Sequence, residues 1–229
     1  MAPVTMPSHR SLERLLRWPL RALPSDWWLP ILRGPARGFF WRVGSGNHSC
    51  WLGSYEADIV RGLLPRLPTA GIAFDLGAHA GYYTLMLARR FEHVHAFEPC
   101  PADLRAHLAR NHLESAVTVH ECAVSDFTGR GRLAGEGACR LLAETGAPVA
   151  VVALDDLDLP DPAFVKIDVE WQEAAALRGM QRLLARARPM LLVATHGNEV
   201  RREALDILKR LDYRVEPIEG TLLATARER

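Results

Sequence analysis

From Ser54 to Ala226, short apolar runs alternate with segments of helical period, and that alternation leaves few folds open. Residues 55–64 put Ile59, Val60, Leu63 and Leu64 at helical spacing. A strand over 72–76, a helix over 80–90 and a strand over 93–97 follow. A helix then opens after Pro99 and Pro101, and a strand covers 117–122. A glycine-rich stretch, 125–148, interrupts the pattern and reads as irregular, before a strand at 149–154. The alternation resumes with a strand over 164–167, one helix over 171–186, a strand over 190–195, a helix over 199–211 and a strand over 213–218. Glu219-Gly220 reads as a hairpin turn into a last strand, 221–226. Strands separated by helices of about ten residues imply an α/β protein with a doubly wound, mostly parallel sheet covered on both faces. The final hairpin adds one antiparallel strand.

The first 53 residues lack this pattern. They hold five of the six tryptophans, seven arginines and two acids, Glu13 and Asp26, with prolines at 19, 24, 30 and 35 that stop any long helix. Residues 1–53 therefore read as a basic, aromatic extension of short helices, and 54–229 as the main domain. Arg10, Arg14, Arg17 and Arg21 recur along one side of a helix, with Leu12, Leu15, Leu16 and Leu20 on another. Such an arm packs with a solvated basic face, or rests peripherally on an anionic membrane surface. A net charge of +1 argues against a nucleic-acid partner, which calls for a strongly basic domain. Cys50, Cys100, Cys122 and Cys139 show no metal-ligand spacing and read as reduced thiols. No secretory segment is visible, and no apolar run approaches the ~20 residues of a membrane span. A soluble, cytoplasmic protein is expected.

The stretch FDLGAHAGYYTLMLARRFEHVHAFEP carries the first chemistry. An apolar strand reaches Asp75, a tight turn carries Gly77 and Gly81, and a helix begins. Glycine lets backbone turn sharply and approach a ligand without a Cβ between them. Glu98 closes the second strand, where an acid accepts both hydrogen bonds of a ribose diol. Two cofactors compete for such a site. A nicotinamide dinucleotide needs G-x-G-x-x-G facing its pyrophosphate. Here the turn is G-A-H-A-G with Asp75 before it. A carboxylate at that place repels a pyrophosphate and suits the amino-acid ammonium of S-adenosylmethionine.

FDLGAHAGYYT, VHAFEP, VHECAVSD, FVKIDVEWQEAAALRGM and LLVATHG, with LGSYE upstream, stand in an order that resembles the FkbM-type methyltransferases over roughly residues 51–211. The resemblance implies a class I methyltransferase (Rossmann-like) fold with a seven-stranded sheet and S-adenosyl-L-methionine as cofactor. It also implies O-methylation of a sugar, glycan or natural-product hydroxyl, with N-methylation or an inactive binding module as alternatives. It places Asp75, Gly77, His79 and Gly81 around the methionine end, Glu98 on the ribose, and Cys122, Ala123 and Asp126 near the adenine. Asp126 also reads as a simple turn acid. Three positions depart from the family: His79 replaces a common asparagine, Trp171 a small residue (usually glycine), and Ala194 an acid before the histidine.

Methyl transfer from a sulfonium to an alcohol needs positioning and a base. Asp168 and Glu170 follow an apolar strand and point the same way; His196 ends the next strand, and these three are the catalytic candidates. Glu173 reads as a charge favouring a helix N-terminus. An Asp/Glu/His group also suits a divalent cation, but with no further carboxylate in the pattern a metal-free site is expected. The expected partner is a small-molecule, glycan or lipid-linked acceptor.

Overall fold

The computed structural model describes residues 23–134, 140–141 and 145–227. The arginine-bearing segment 1–22 and Cys139 lie outside the described residues. Two compact units divide after Tyr55.

The first unit corrects one expectation. Its described part contains an antiparallel pair, β1 (Trp28–Pro30) and β2 (Phe40–Arg42), and a four-residue helix, α1 (Ser49–Leu52), where short helices alone were expected. Pro24, Pro30 and Pro35 deny a helix its hydrogen bonds, and the aromatic residues suit a pleated pair. Trp41 is buried, and its indole N–H donates to the Ser45 carbonyl at 2.8 Å.

The second unit opens with α2 (Ala57–Leu63), then β3 (Ile72–Leu76), α3 (Tyr82–Ala88), β4 (His93–Phe97), α4 (Ala102–Arg110) and β5 (Val117–His120). After an inserted sheet come β10 (Phe164–Ile167), α5 (Glu173–Arg178), α6 (Gln181–Ala187), β11 (Met190–Val193), α7 (Asn198–Arg210), β12 (Tyr213–Ile218) and β13 (Thr221–Ala226). The seven-stranded sheet has the order β12-β13-β11-β10-β3-β4-β5. Only β13 runs against its neighbours, as the terminal hairpin predicts. Chain order reverses between β3 and β10, so a ligand crevice is expected beyond the carboxyl ends of those two strands. Phe74, Leu76, Phe97, Val165, Ile167, Leu191 and Val193 meet Leu177, Leu183, Leu184, Ile207 and Leu208 in one buried cluster. By the two-residue repeat of a strand, Asp75 and Lys166 point to the opposite face.

The stretch expected to be irregular forms most of a second, four-stranded sheet of order β6-β9-β7-β8. Its strands are β6 (Ala123–Val124), β7 (Gly129–Ala134), β8 (Arg140–Leu141) and β9 (Ala147–Val152). The single helix expected over 171–186 is two helices. The Cβ that a residue other than glycine would place at 179 lies 2.0 Å from the Ser125 carbonyl oxygen. Beyond the break, the Asp155 carboxylate accepts the backbone N–H groups of Arg182 and Leu183, both at 2.8 Å. A distant acid thus restarts the helix. Among the described residues no helix is long and apolar enough to cross a membrane.

Gly179 has an ordinary helical φ of −74°, so its constraint is contact alone. Gly179→Ala should destabilise the protein by ~1–3 kcal/mol, the usual cost of overpacking. Urea unfolding should show a lower midpoint with an unchanged slope.

Candidate active site

The turn after β3 is held from three sides. The N–H groups of Gly77 and Ala78 both donate to the Phe97 carbonyl, at 2.9 and 3.1 Å. Gly77 has φ +77°, and a Cβ there would come within 1.8 Å of the Asp168 carbonyl oxygen. Only glycine permits that approach. His79 has φ +51°, a conformation that Asn and His adopt more readily than most residues, which accounts for the tolerated exchange. Its N–H donates to Glu98 Oε2 at 2.7 Å, while Cys100 N–H donates to Oε1 at 3.0 Å. The ribose candidate is therefore oriented by backbone on both oxygens.

Asp75 is fully buried. Thr84 Oγ1 donates to its Oδ2 at 2.6 Å, and Lys166 Nζ lies 3.3 Å from its Oδ1. Asp75 and Lys166 are register partners across β3 and β10. Lys166 Nζ also donates to the Gly77 carbonyl at 2.9 Å, lies 3.4 Å from Asp168 Oδ2, and stands over the Tyr83 ring. Burial pulls the lysine's pKa down, but Asp75, then Asp168 and Glu56, pull it further up, so the ammonium stays charged. Tyr83 in turn donates to Glu56 Oε2 at 2.6 Å.

A second group stands at the ends of β10 and β11. His196 Nε2 lies 3.4 Å from Glu170 Oε2 and 3.9 Å from Asp168 Oδ1, so the three catalytic candidates are together. Its Nδ1 meets Glu173 Oε1 at 2.8 Å. The hydrogen bond to Glu173 raises the imidazole's pKa, burial opposes it, and the charges of Glu173, Glu170 and Asp168 bring it to about 9. Glu170 and Trp171 both have positive φ, 46° and 74°.

The adenine candidates divide. Cys122 and Ala123 are buried, and burial pushes the Cys122 thiol up to about 11. The N–H groups of Cys122 and Glu98 share the His120 carbonyl, at 3.0 and 3.1 Å, which ties this wall to the ribose acid. Asp126 instead pairs with Arg178 at 2.8 Å, and Arg178 also pairs with Glu203.

Two residues escaped the sequence. Lys166 is one of only two lysines, set inside an apolar strand two residues before a motif acid; that isolation was its signal. Glu173 looked like a dipole charge, yet it is fully buried against His196.

Comparison with known families matches the methyltransferase FkbM domain over residues 75–215. The chain belongs to the FkbM methyltransferase family. An FkbM methyltransferase structure from Methylobacillus flagellatus is similar, with a TM-score of 0.54 at 23% identity over 70% of this chain and 45% of that one. This chain thus spans less than half of that relative. A precorrin-6y C5,15-methyltransferase from Geobacter metallireducens gives 0.48 at 17% identity, over 75% and 86% of the two chains. Fibrillarin from Aeropyrum pernix, with natively bound S-adenosyl-L-methionine, gives 0.49 at 12% identity, over 75% and 74%. No curated protein matches the chain. The family's fold is the class I methyltransferase fold, and the seven-stranded sheet with its one reversed strand conforms to it.

Lys166→Met should destabilise the protein by ~3–5 kcal/mol, because it leaves Asp75 as an uncompensated buried charge. Adding Asp75→Asn should recover part of that loss, and a double-mutant cycle by chemical denaturation measures the coupling.

Proposed function

We propose that this chain transfers a methyl group from S-adenosylmethionine to a hydroxyl of a sugar, glycan or natural-product acceptor, free or lipid-linked. The observation that carries the cofactor assignment is Glu98. It stands half-buried at the end of β4, with each oxygen fixed by one backbone N–H and further lone pairs open to a ribose diol. Gly77 and Gly81 let the turn pack against Asp168 and Leu104, where a Cβ would collide, and Cys122 and Ala123 supply an apolar wall suited to adenine. Asp75, Asp168, Glu170 and Glu173 make the surroundings anionic, which favours an ammonium and a sulfonium over a pyrophosphate. Asp75 acts through what it braces, since its oxygens face Thr84 and Lys166. Asp126 is held by Arg178 on α5.

The bound cofactor supplies an electrophilic methyl group on its sulfonium. The chain's own part is to hold the acceptor hydroxyl in line and receive its proton. Asp168 is braced by Lys166 on one oxygen and faces His196 with the other, so it orients. In the ligand-free protein His196, with its pKa near 9, carries a proton at neutral pH and holds the carboxylates around it. Glu170 faces that imidazole from the more open side and is assigned as the proton acceptor.

Calorimetry should show S-adenosylmethionine binding and no comparable binding of NAD⁺. Glu98→Ala should weaken it about 10- to 100-fold, the equivalent of one or two charge-assisted hydrogen bonds. Glu170→Gln should leave that affinity within a small factor and slow release of S-adenosylhomocysteine with a hydroxyl acceptor ~10²–10⁴-fold. Preferential NAD⁺ binding would sink the assignment.

A further inference from the structure

Asp168, Glu173 and His196 each bring one ligand atom to within 4.8 Å of the other two. We propose that these three residues hold a divalent cation beside the acceptor site. Its catalytic consequence rests on the methyltransferase reading; the binding itself does not.

Two donors that share an octahedral ion with bonds of ~2.1 Å stand about 3 Å apart when adjacent and about 4.2 Å apart when opposite. An imidazole serves one ion through one nitrogen: His196 Nε2 stands 3.9 Å from Asp168 Oδ1, inside that range, while its Nδ1 stays on Glu173 Oε1. The second, independent observation is Glu173. Its side chain is fully buried, its Oε1 takes both His196 and the Trp171 N–H, and its Oε2 has no hydrogen-bond partner. A buried carboxylate oxygen left bare carries its full desolvation penalty. A cation bound by that carboxylate removes it. Charge points the same way, since three carboxylates converge on one imidazole and Lys166 reaches only Asp168 among them.

Two carboxylates and one imidazole suit a first-row ion better than an all-oxygen shell does, so Mn²⁺ is favoured over Mg²⁺ and Ca²⁺. An imidazole must be neutral to bind, so binding releases the His196 proton. The ion's remaining positions accept water or the acceptor hydroxyl, whose acidity it raises. Glu170, outside the ligand set, then takes the proton as oxygen attacks the methyl carbon, the C–S bond breaks and S-adenosylhomocysteine leaves.

The test is calorimetric titration of the chelator-treated full chain with Mn²⁺, and with Mg²⁺ in parallel, supported by the paramagnetic resonance signal of bound Mn²⁺. One ion per chain is expected, with Mn²⁺ the tighter. Glu173→Gln and Asp168→Asn should each weaken it at least about 10- to 100-fold, while Asp126→Asn, outside the cluster, should not. Circular dichroism checks that each variant folds; should Glu173→Gln fail, Asp168→Asn, whose side chain is partly exposed, carries the test. Absence of stoichiometric Mn²⁺ binding, or binding unchanged in Asp168→Asn, overturns the proposal. S-adenosylmethionine titrated into the same chelated sample separates the two assignments: cofactor binding without Mn²⁺ binding defeats the metal site alone, and the reverse defeats the methyltransferase reading alone.

Discussion

An ammonium inside an apolar sheet is costly unless its neighbours compensate it, and Lys166 has three. Asp75 faces it across the strand pair, Asp168 follows two residues later, and the Gly77 carbonyl accepts a hydrogen bond from it. One buried charge therefore fixes the end of β3, the end of β10 and the first residue of the glycine turn. The turn then has no freedom to drift: Gly77 sits directly beneath the Asp168 carbonyl, with no room for a Cβ. Because the turn is fixed, its next N–H groups reach the Phe97 carbonyl and Glu98. The candidate ribose acid on β4 and the candidate catalytic acids after β10 are in this way tied to one buried ion pair at the point where strand order reverses.

The same logic explains what the sequence made legible. Strands and helices of the main sheet announce themselves through period, and the glycine turn through spacing, because each depends on local backbone physics. The hairpin at Glu219-Gly220 is local too, with both residues at positive φ. The break between α5 and α6 is not local. It comes from the Ser125 carbonyl pressing on Gly179 and from Asp155 capping the second helix, contacts across tens of residues. The four-stranded sheet was hidden for a related reason. Gly129, Arg130, Gly131 and Arg132 have little strand propensity and form β7 by pairing with β9.

Site residues divide along the same line. Asp75, Glu98, Asp168, Glu170 and His196 lie at strand ends, so their neighbourhood follows once the sheet is assigned. Glu173 lies inside a helical pattern, where a first-turn acid is ordinary, and only the tertiary fold brings His196 against it. Lys166 required asking what neutralises a charge in a strand buried on both faces.

Trp171 shows how a departure from a family pattern acquires a physical meaning. The residue after the D-V-E triplet adopts φ +74°, where glycine is at no disadvantage and a tryptophan is strained. Glu170 before it is also left-handed, so the two residues together hold strain of order 1–3 kcal/mol each. Something must hold them there. The indole rests on Gly197, where a Cβ would come within 2.8 Å of the ring, and its centroid lies 6.3 Å from that of His196. The N–H of Trp171 is held by the buried Glu173 carboxylate at 3.2 Å. The strained pair thus carries Glu170 to the imidazole and sets an exposed aromatic surface beside it. A glycine there would relax the backbone and leave that side of the site open. With tryptophan, a flat, exposed aromatic face stands next to the proposed base.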